Sequence, residues 1–220
     1  MSWRYVLLIV VTILGGLWFD RFGGAWGQPL VSLWAWGVFL LLVWRSSPYT
    51  RVALIACLLI AAAGEVVLSL VWGLYDYRLH NIPLFVPPGH VLLYVLGTTL
   101  AVRLPRPLFS VIAVCAGIGA VLLAVGGWDL LSLPLTLLFL ASLRFGPAPR
   151  LYGTMFVLAL AMELWGTWLG NWAWRATVPG LGWATLNPPL AAGAFYCVLD
   201  WLVGLAASRS AAAKSATAVA

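Results

Sequence analysis

Eight apolar runs follow one another along almost the whole chain and constrain its fold more than any other feature. They are Trp3 to Phe19, Pro29 to Trp44, Val52 to Tyr75, Gly89 to Val102, Leu108 to Trp128, Leu130 to Leu143, Leu151 to Trp172 and Pro189 to Ala207. Apolar residues fill 64% of the 220 positions and charged residues 8%, against about a quarter charged in soluble domains. No soluble fold covers that much apolar surface. A bilayer crossing takes about 20 residues, so the runs predict an all-α, polytopic transmembrane helix bundle of about eight helices, with no separate soluble domain. The second, fourth and sixth runs are short for a crossing and must recruit flanking residues, tilt, or sit where the bilayer thins. The tail from Ser208 to Ala220 is small and polar and is expected to be disordered and cytoplasmic.

The net charge of +6 would direct a soluble protein toward nucleic acid. Here the basic residues are single positions between apolar runs, so they read as topology signals and no nucleic-acid partner is expected. Nine lie on the side of the N-terminus (Arg4, Arg45, Arg51, Arg103, Arg106, Arg144, Arg150, Arg209, Lys214) and three on the other (Arg21, Arg78, Arg175). The bias predicts a multi-pass protein of a bacterial-type inner (plasma) membrane, both termini cytoplasmic, with Asp20, Asp76 and Asp129 outside. The first run carries Arg4 but no small-residue cleavage site after it, so it is expected to be retained rather than removed as a signal peptide. Tryptophans gather at the outer run ends, as interfacial anchors do. Cys57, Cys115 and Cys197 lie inside apolar runs without C-x-x-C spacing and suit packing rather than disulfides or zinc.

The chain also resembles itself at an offset of about 100 residues. Arg45-Ser-Ser-Pro48-Tyr-Thr-Arg51 matches Arg144-Phe-Gly-Pro147-Ala-Pro-Arg150, and each opens an apolar helix holding one glutamate, Glu65 or Glu163. Tyr75-Asp-Tyr77-Arg78 answers Trp172-Ala-Trp174-Arg175, and Pro87-Pro88 answers Pro188-Pro189. Upstream, Gly15-Gly16 with Asp20 is similar to Gly126-Gly127 with Asp129. These matches predict two tandem four-helix repeats, 1–104 and 105–207, followed by the tail 208–220 in one integrated membrane domain. An even number of crossings per repeat makes the copies parallel, related by a pseudo-two-fold axis along the membrane normal.

Glu65 and Glu163 are the only glutamates in the chain. A buried acid at that depth costs about 2.5–3.5 kcal/mol on insertion scales, so it reads first as functional. A carboxyl in apolar surroundings is suited to giving or taking a proton near neutral pH; alternatively it hydrogen-bonds a neighbouring helix and holds the bundle together. Ser69 follows Glu65 by one turn, and Thr167 and Asn171 follow Glu163 on the same helix face, as candidate substrate contacts. Arg78 and Arg175 each follow an aromatic residue, Tyr77 or Trp174. They call for a lipid phosphate or a carboxylate, or act as interfacial anchors. His90, after Pro87-Pro88-Gly89 and one turn before Tyr94, can titrate near neutrality or orient a carboxylate. Asp200 lies near the middle of the last run, one turn after Tyr196, and suits either pairing with that tyrosine or contact with substrate. His80 and His90 alone make no metal motif, and no cofactor is called for. The only lysine, Lys214, lies in the tail, which excludes a retinal Schiff base; Walker, G-x-S-x-G and H-E-x-x-H motifs are lacking.

The tandem copies, the aromatic-x-aromatic segments and the prolines that follow them resemble the small membrane lycopene cyclases. Glu163-Leu-Trp-Gly166-Thr167-Trp-Leu-Gly170-Asn-Trp172-Ala-Trp174 is similar to a Glu, Gly-Thr, Gly, Tyr-x-Tyr pattern of membrane carotenoid hydratases. Both resemblances imply proton-initiated chemistry on polyisoprene double bonds, of a cofactor-independent isomerase, cyclase or hydratase type. Where the cyclases place paired acids after the helix-opening proline, this chain has Gly89-His90 and Leu190-Ala191. The expected partners are the lipid bilayer and a lipophilic, isoprenoid or carotenoid-like small molecule. Glu65, Glu163, His90 and Asp200 are the candidate catalytic residues. Two other readings stay open: a proton-coupled transporter of a lipid or small molecule, and a non-catalytic partner in a homo-oligomer or larger membrane complex.

Overall fold

Prolines start half of the α-helices, because the first turn needs no intrahelical N–H and the ring fixes a helical φ. A computed structural model describes residues 3–217, with side chains to residue 210. It is 75% helix, with eight α-helices among the described residues: α1 (Trp3–Phe22), α2 (Gly27–Arg45), α3 (Pro48–Glu65), α4 (Val86–Ala101), α5 (Arg106–Val125), α6 (Ser132–Phe145), α7 (Pro149–Leu169) and α8 (Gly193–Thr217). Proline stands in the first turn of α3, α4, α5 and α7. Ser47 caps α3 by accepting from the Thr50 N–H at 3.3 Å. Arg51 donates back to the carbonyls of Val43 and Trp44 at 2.9 and 3.0 Å, closing the end of α2.

Four segments are long and apolar enough to cross a membrane: Trp3–Phe22, Gly24–Arg45, Pro48–Val71 and Arg106–Val125. Helices α4 and α6 are shorter apolar helices. The exterior is apolar as well, with Leu33, Leu59, Val71, Leu122, Val125 and Leu137 exposed. Long apolar helices with an apolar outer surface are compatible with a membrane protein.

The structure departs from the sequence expectation at the ends of the third, seventh and eighth runs. The third run does not stay α-helical to Tyr75. Beyond Glu65 it becomes a π-helix over Val66–Val71, then turns at Gly73 into the strand β1 (Tyr75–Tyr77). α7 ends at Gly170, and β2 (Trp172–Trp174) follows. Gly73 and Gly170 both adopt φ +73°, the left-handed conformation that glycine takes without a steric penalty. The last helix begins at Gly193 rather than Pro189, and its backbone stays helical to Thr217, past Ala207. Of the expected disordered tail, residues 218–220 lie outside the described residues.

β1 and β2 pair antiparallel, Tyr75 opposite Trp174 and Tyr77 opposite Trp172. Two flanking bonds lengthen the ladder: Arg78 N–H to Asn171 C=O at 2.8 Å and Arg175 N–H to Leu74 C=O at 2.9 Å. Side chains alternate across a strand, so all four rings point inward while Asp76 and Ala173 face out. This small sheet, formed by strands that follow α3 and α7, lies at one end of the bundle. α3 packs against α4 and α8, and α7 against the same two helices. The core beneath the sheet includes Phe139 stacked on Phe156 at 4.0 Å. A second cluster, with Leu54, Cys57, Leu92 and Met155, fills the other end. Gly193 lets α8 reach the α7 backbone: a Cβ there would stand 2.7 Å from Phe156 Cα.

Candidate functional site

The two glutamates end up beneath the sheet because each sits about two turns before its own strand. Glu65 precedes Tyr75 by 10 residues and Glu163 precedes Trp172 by 9. A π-helix holds one residue more than the α-helix it interrupts. The π segment after Glu65 therefore absorbs the extra residue, with Trp72 N–H reaching Val67 C=O at 2.8 Å. Both carboxylates thus meet a pair of inward rings.

Glu65 Oε2 accepts from the hydroxyls of Tyr75 and Tyr77 at 2.8 and 2.7 Å. Its Oε1 lies 2.9 Å from Nε2 of His90, the fifth residue of α4. Glu163 Oε2 accepts from the indole N–H groups of Trp172 and Trp174 at 2.8 and 3.0 Å, and its Oε1 accepts from the Tyr196 hydroxyl at 3.4 Å. The His90 ring stacks on Tyr196 with centroids 4.9 Å apart, so α4 and α8 tie the two clusters together. Tyr75 packs on Trp174 at 4.8 Å. Gly166 makes room for the Trp172 indole, which occupies the space where any β-carbon would go.

Both glutamates, Tyr75, Tyr77, His90, Trp172, Trp174 and Tyr196 line one cavity of about 630 Å³. That is the size of a small-molecule site. Its two carboxylates are not equivalent. An indole donates a hydrogen bond but has no acceptor atom and keeps its proton, so Trp172 and Trp174 can only hold Glu163 in place. Phenols and imidazole both donate and accept, so Glu65 sits in a set of groups able to pass a proton. His90 Nδ1 is buried and has no hydrogen-bond partner among the described residues.

Compared with protein-family models, curated proteins and solved structures, the chain matches none. The side chains themselves therefore carry the functional reading. Among the described residues no group of three or more His, Cys, Asp or Glu is placed to hold a metal ion.

Of the candidate residues from sequence, Glu65, Glu163, His90, Tyr77 and Trp174 meet at this cavity. The remaining ones have other contacts. Ser69 donates to the Tyr75 carbonyl at 3.1 Å and holds β1; Thr167 donates to the Glu163 carbonyl at 2.7 Å within α7. The Asn171 amide donates to the Leu17 carbonyl at 2.8 Å and fastens the turn before β2 to α1. Arg78 pairs with Asp20 at 3.3 Å and Arg175 with Asp76 at 2.9 Å, so neither guanidinium reaches a glutamate. Tyr94 packs against the second core cluster. Asp200 is buried and neither oxygen has a hydrogen-bond partner among the described residues, because the Tyr196 hydroxyl turns to Glu163 instead. Tyr75, Trp172 and Tyr196 also line the cavity, although none is a candidate from sequence. The period-two placement of aromatics in Tyr75-Asp-Tyr77 and Trp172-Ala-Trp174 was the available signal for the first two, since it puts both rings of a strand on one face.

Proposed function

We propose that this chain is a multi-pass membrane protein that binds a lipophilic molecule in the shared cavity and moves a proton to or from it. The observation that carries the reading is that the chain's only two glutamates line one cavity, each held by different donors. In a largely apolar chamber, proton transfer is the chemistry these groups perform without a cofactor. Glu65 and His90 form the exchanging pair, with Tyr75 and Tyr77 fixing the carboxylate. Glu163, clamped by Trp172 and Trp174, supplies fixed negative potential, and the ring faces around it favour a developing positive charge. A proton delivered to a substrate double bond and another lost from the adjoining carbon gives an isomerase reaction in balance. Cyclase or hydratase outcomes differ in what captures the cation. An isoprenoid or carotenoid-like molecule offers such double bonds in a lipophilic frame.

The same reading includes two parallel four-helix copies spanning the membrane eight times with both termini cytoplasmic. The reciprocal β1–β2 pairing, the matched Gly73 and Gly170 turns, and the like packing of α3 and α7 support the duplication. The nine-to-three basic bias supports the orientation.

The test is mass spectrometry of lipophilic molecules that co-purify with wild type, Glu65→Gln and Glu163→Gln. Wild type is expected to carry product, and a variant to carry a different, unreacted species. Identical cargo in all three, or none, would remove both carboxylates from the mechanism. Proton flux into protein-loaded vesicles would instead indicate a transporter.

A further inference from the structure

The ionisable groups of the cavity are gathered in one part of it. Its carboxylates and their donors stand beneath the sheet, and among the described residues Glu65, His90 and Glu163 are its only ionisable liners apart from tyrosine hydroxyls. Away from the sheet the walls are apolar apart from Thr12, whose hydroxyl accepts from the Trp34 indole N–H. Ile60 lies five residues before Glu65 on α3, and Leu199 and Leu202 lie three and six residues after Tyr196 on α8. At 1.5 Å per residue these positions extend the chamber by roughly 5–9 Å along the helices.

The cavity also meets the outside of the bundle, along a flank that runs from beside Glu65 to Leu202. Ala63, Val67, Leu138 and Leu202 line the cavity and are exposed. They belong to α3, the π segment that continues it, α6 and α8, and α8 packs against both α3 and α6. A water-soluble ligand gains nothing from an apolar entrance on an apolar exterior. A hydrocarbon chain passes through one without leaving apolar surroundings.

Resting on the proton-transfer reading above, we infer that this flank is a lateral opening to the bilayer, and that the ligand is an amphiphile with a linear hydrocarbon tail. Its polar or unsaturated end lies against Glu65 and His90. The tail runs past Ile60 and Leu199 and leaves between α3 and α6 beside Leu202.

The test uses the full chain in phosphatidylcholine nanodiscs with a palmitic acid probe carrying a tail diazirine, and cross-linked residues are mapped by peptide mass spectrometry. Labelling is expected on the inner walls, at Ile60 and Leu199. It is expected to be lost in Val67→Trp and in Leu202→Trp, and kept in Leu122→Trp, which alters an exposed residue on α5 that lines no part of the chamber. Two occluding variants guard against one that fails to fold. Label confined to exterior residues such as Leu59 and Leu122, or inner label that survives both substitutions, would overturn the opening. Labelling is read on wild type and the Trp variants, all of which keep both glutamates, and so it does not depend on the carboxylate chemistry. A failed Gln series with intact labelling would therefore overturn the chemistry and leave the opening standing, and the reverse pattern would do the opposite.

Discussion

Replacing Trp172 and Trp174 with phenylalanine, singly and together, tests whether Glu163 is held as the geometry requires. Each indole donates one hydrogen bond to the same oxygen, at 2.8 and 3.0 Å, and the remaining donor, Tyr196, stands off at 3.4 Å. Side-chain hydrogen bonds between membrane helices are worth about 0.6 kcal/mol on average, and bonds to a charged group about 1.5–3 kcal/mol. Either single substitution leaves the other indole on Oε2, so each is expected to cost about 1 kcal/mol. Removing both leaves a buried carboxyl with one weak donor. The double variant is expected to lose about 3 kcal/mol, more than the two single effects combined, because donors sharing one acceptor are not additive. Reversible unfolding in mixed detergent–SDS micelles measures each loss. Trp168→Phe serves as the control: that ring is 74% exposed and is expected to change stability by under about 0.5 kcal/mol. Strictly additive losses, or single losses no larger than the control, would refute the clamp.

Other substitutions probe the scaffold around the site. Arg78→Ala leaves the buried Asp20 carboxylate without its partner and is expected to cost about 3 kcal/mol. Arg175→Ala breaks a half-exposed pair and is expected to cost under about 1 kcal/mol; the same unfolding assay ranks the two. Asp200→Asn removes a carboxyl that has no hydrogen-bond partner among the described residues, so stability is expected to hold or rise by about 1 kcal/mol, and a clear fall would reveal a partner for it. Gly166→Ala displaces the Trp172 indole from the space it fills and is expected to cost about 1–3 kcal/mol and to reduce retained ligand. Gly97→Ala meets mainly the flexible Met155 side chain and is expected to cost less.

The helices were legible because hydropathy alone separates long apolar runs from the arginines, prolines and glycines that end them. The site was legible at its acids, since a lone glutamate in each of two apolar helices stands out without any structure. Its donors were harder to find. A tyrosine pair closing an apolar run looks like the last turn of a helix, and its strand partner, Trp172–Trp174, lies almost half the chain away. The candidates on the glutamate faces illustrate the opposite problem. Thr167 shares a face with Glu163, yet its hydroxyl returns to the carbonyl one turn back, as hydroxyls in apolar helices commonly do. Arg78 and Arg175 were legible as cations in need of anions. Their choice of Asp20 and Asp76 over the glutamates depends on the sheet, whose alternation turns the Asp76 side chain away from the cavity.

Proton exchange with a bound lipophile is the centre of the account, and deuterium reports on it directly. Ligand extracted from the Glu65→Gln variant is incubated with wild-type protein in D₂O and then weighed by mass spectrometry. The account predicts deuterium at carbon in the recovered ligand, and none when Glu65→Gln protein replaces wild type. A ligand that returns from wild type with no carbon-bound deuterium, or with the same amount from both proteins, would contradict it.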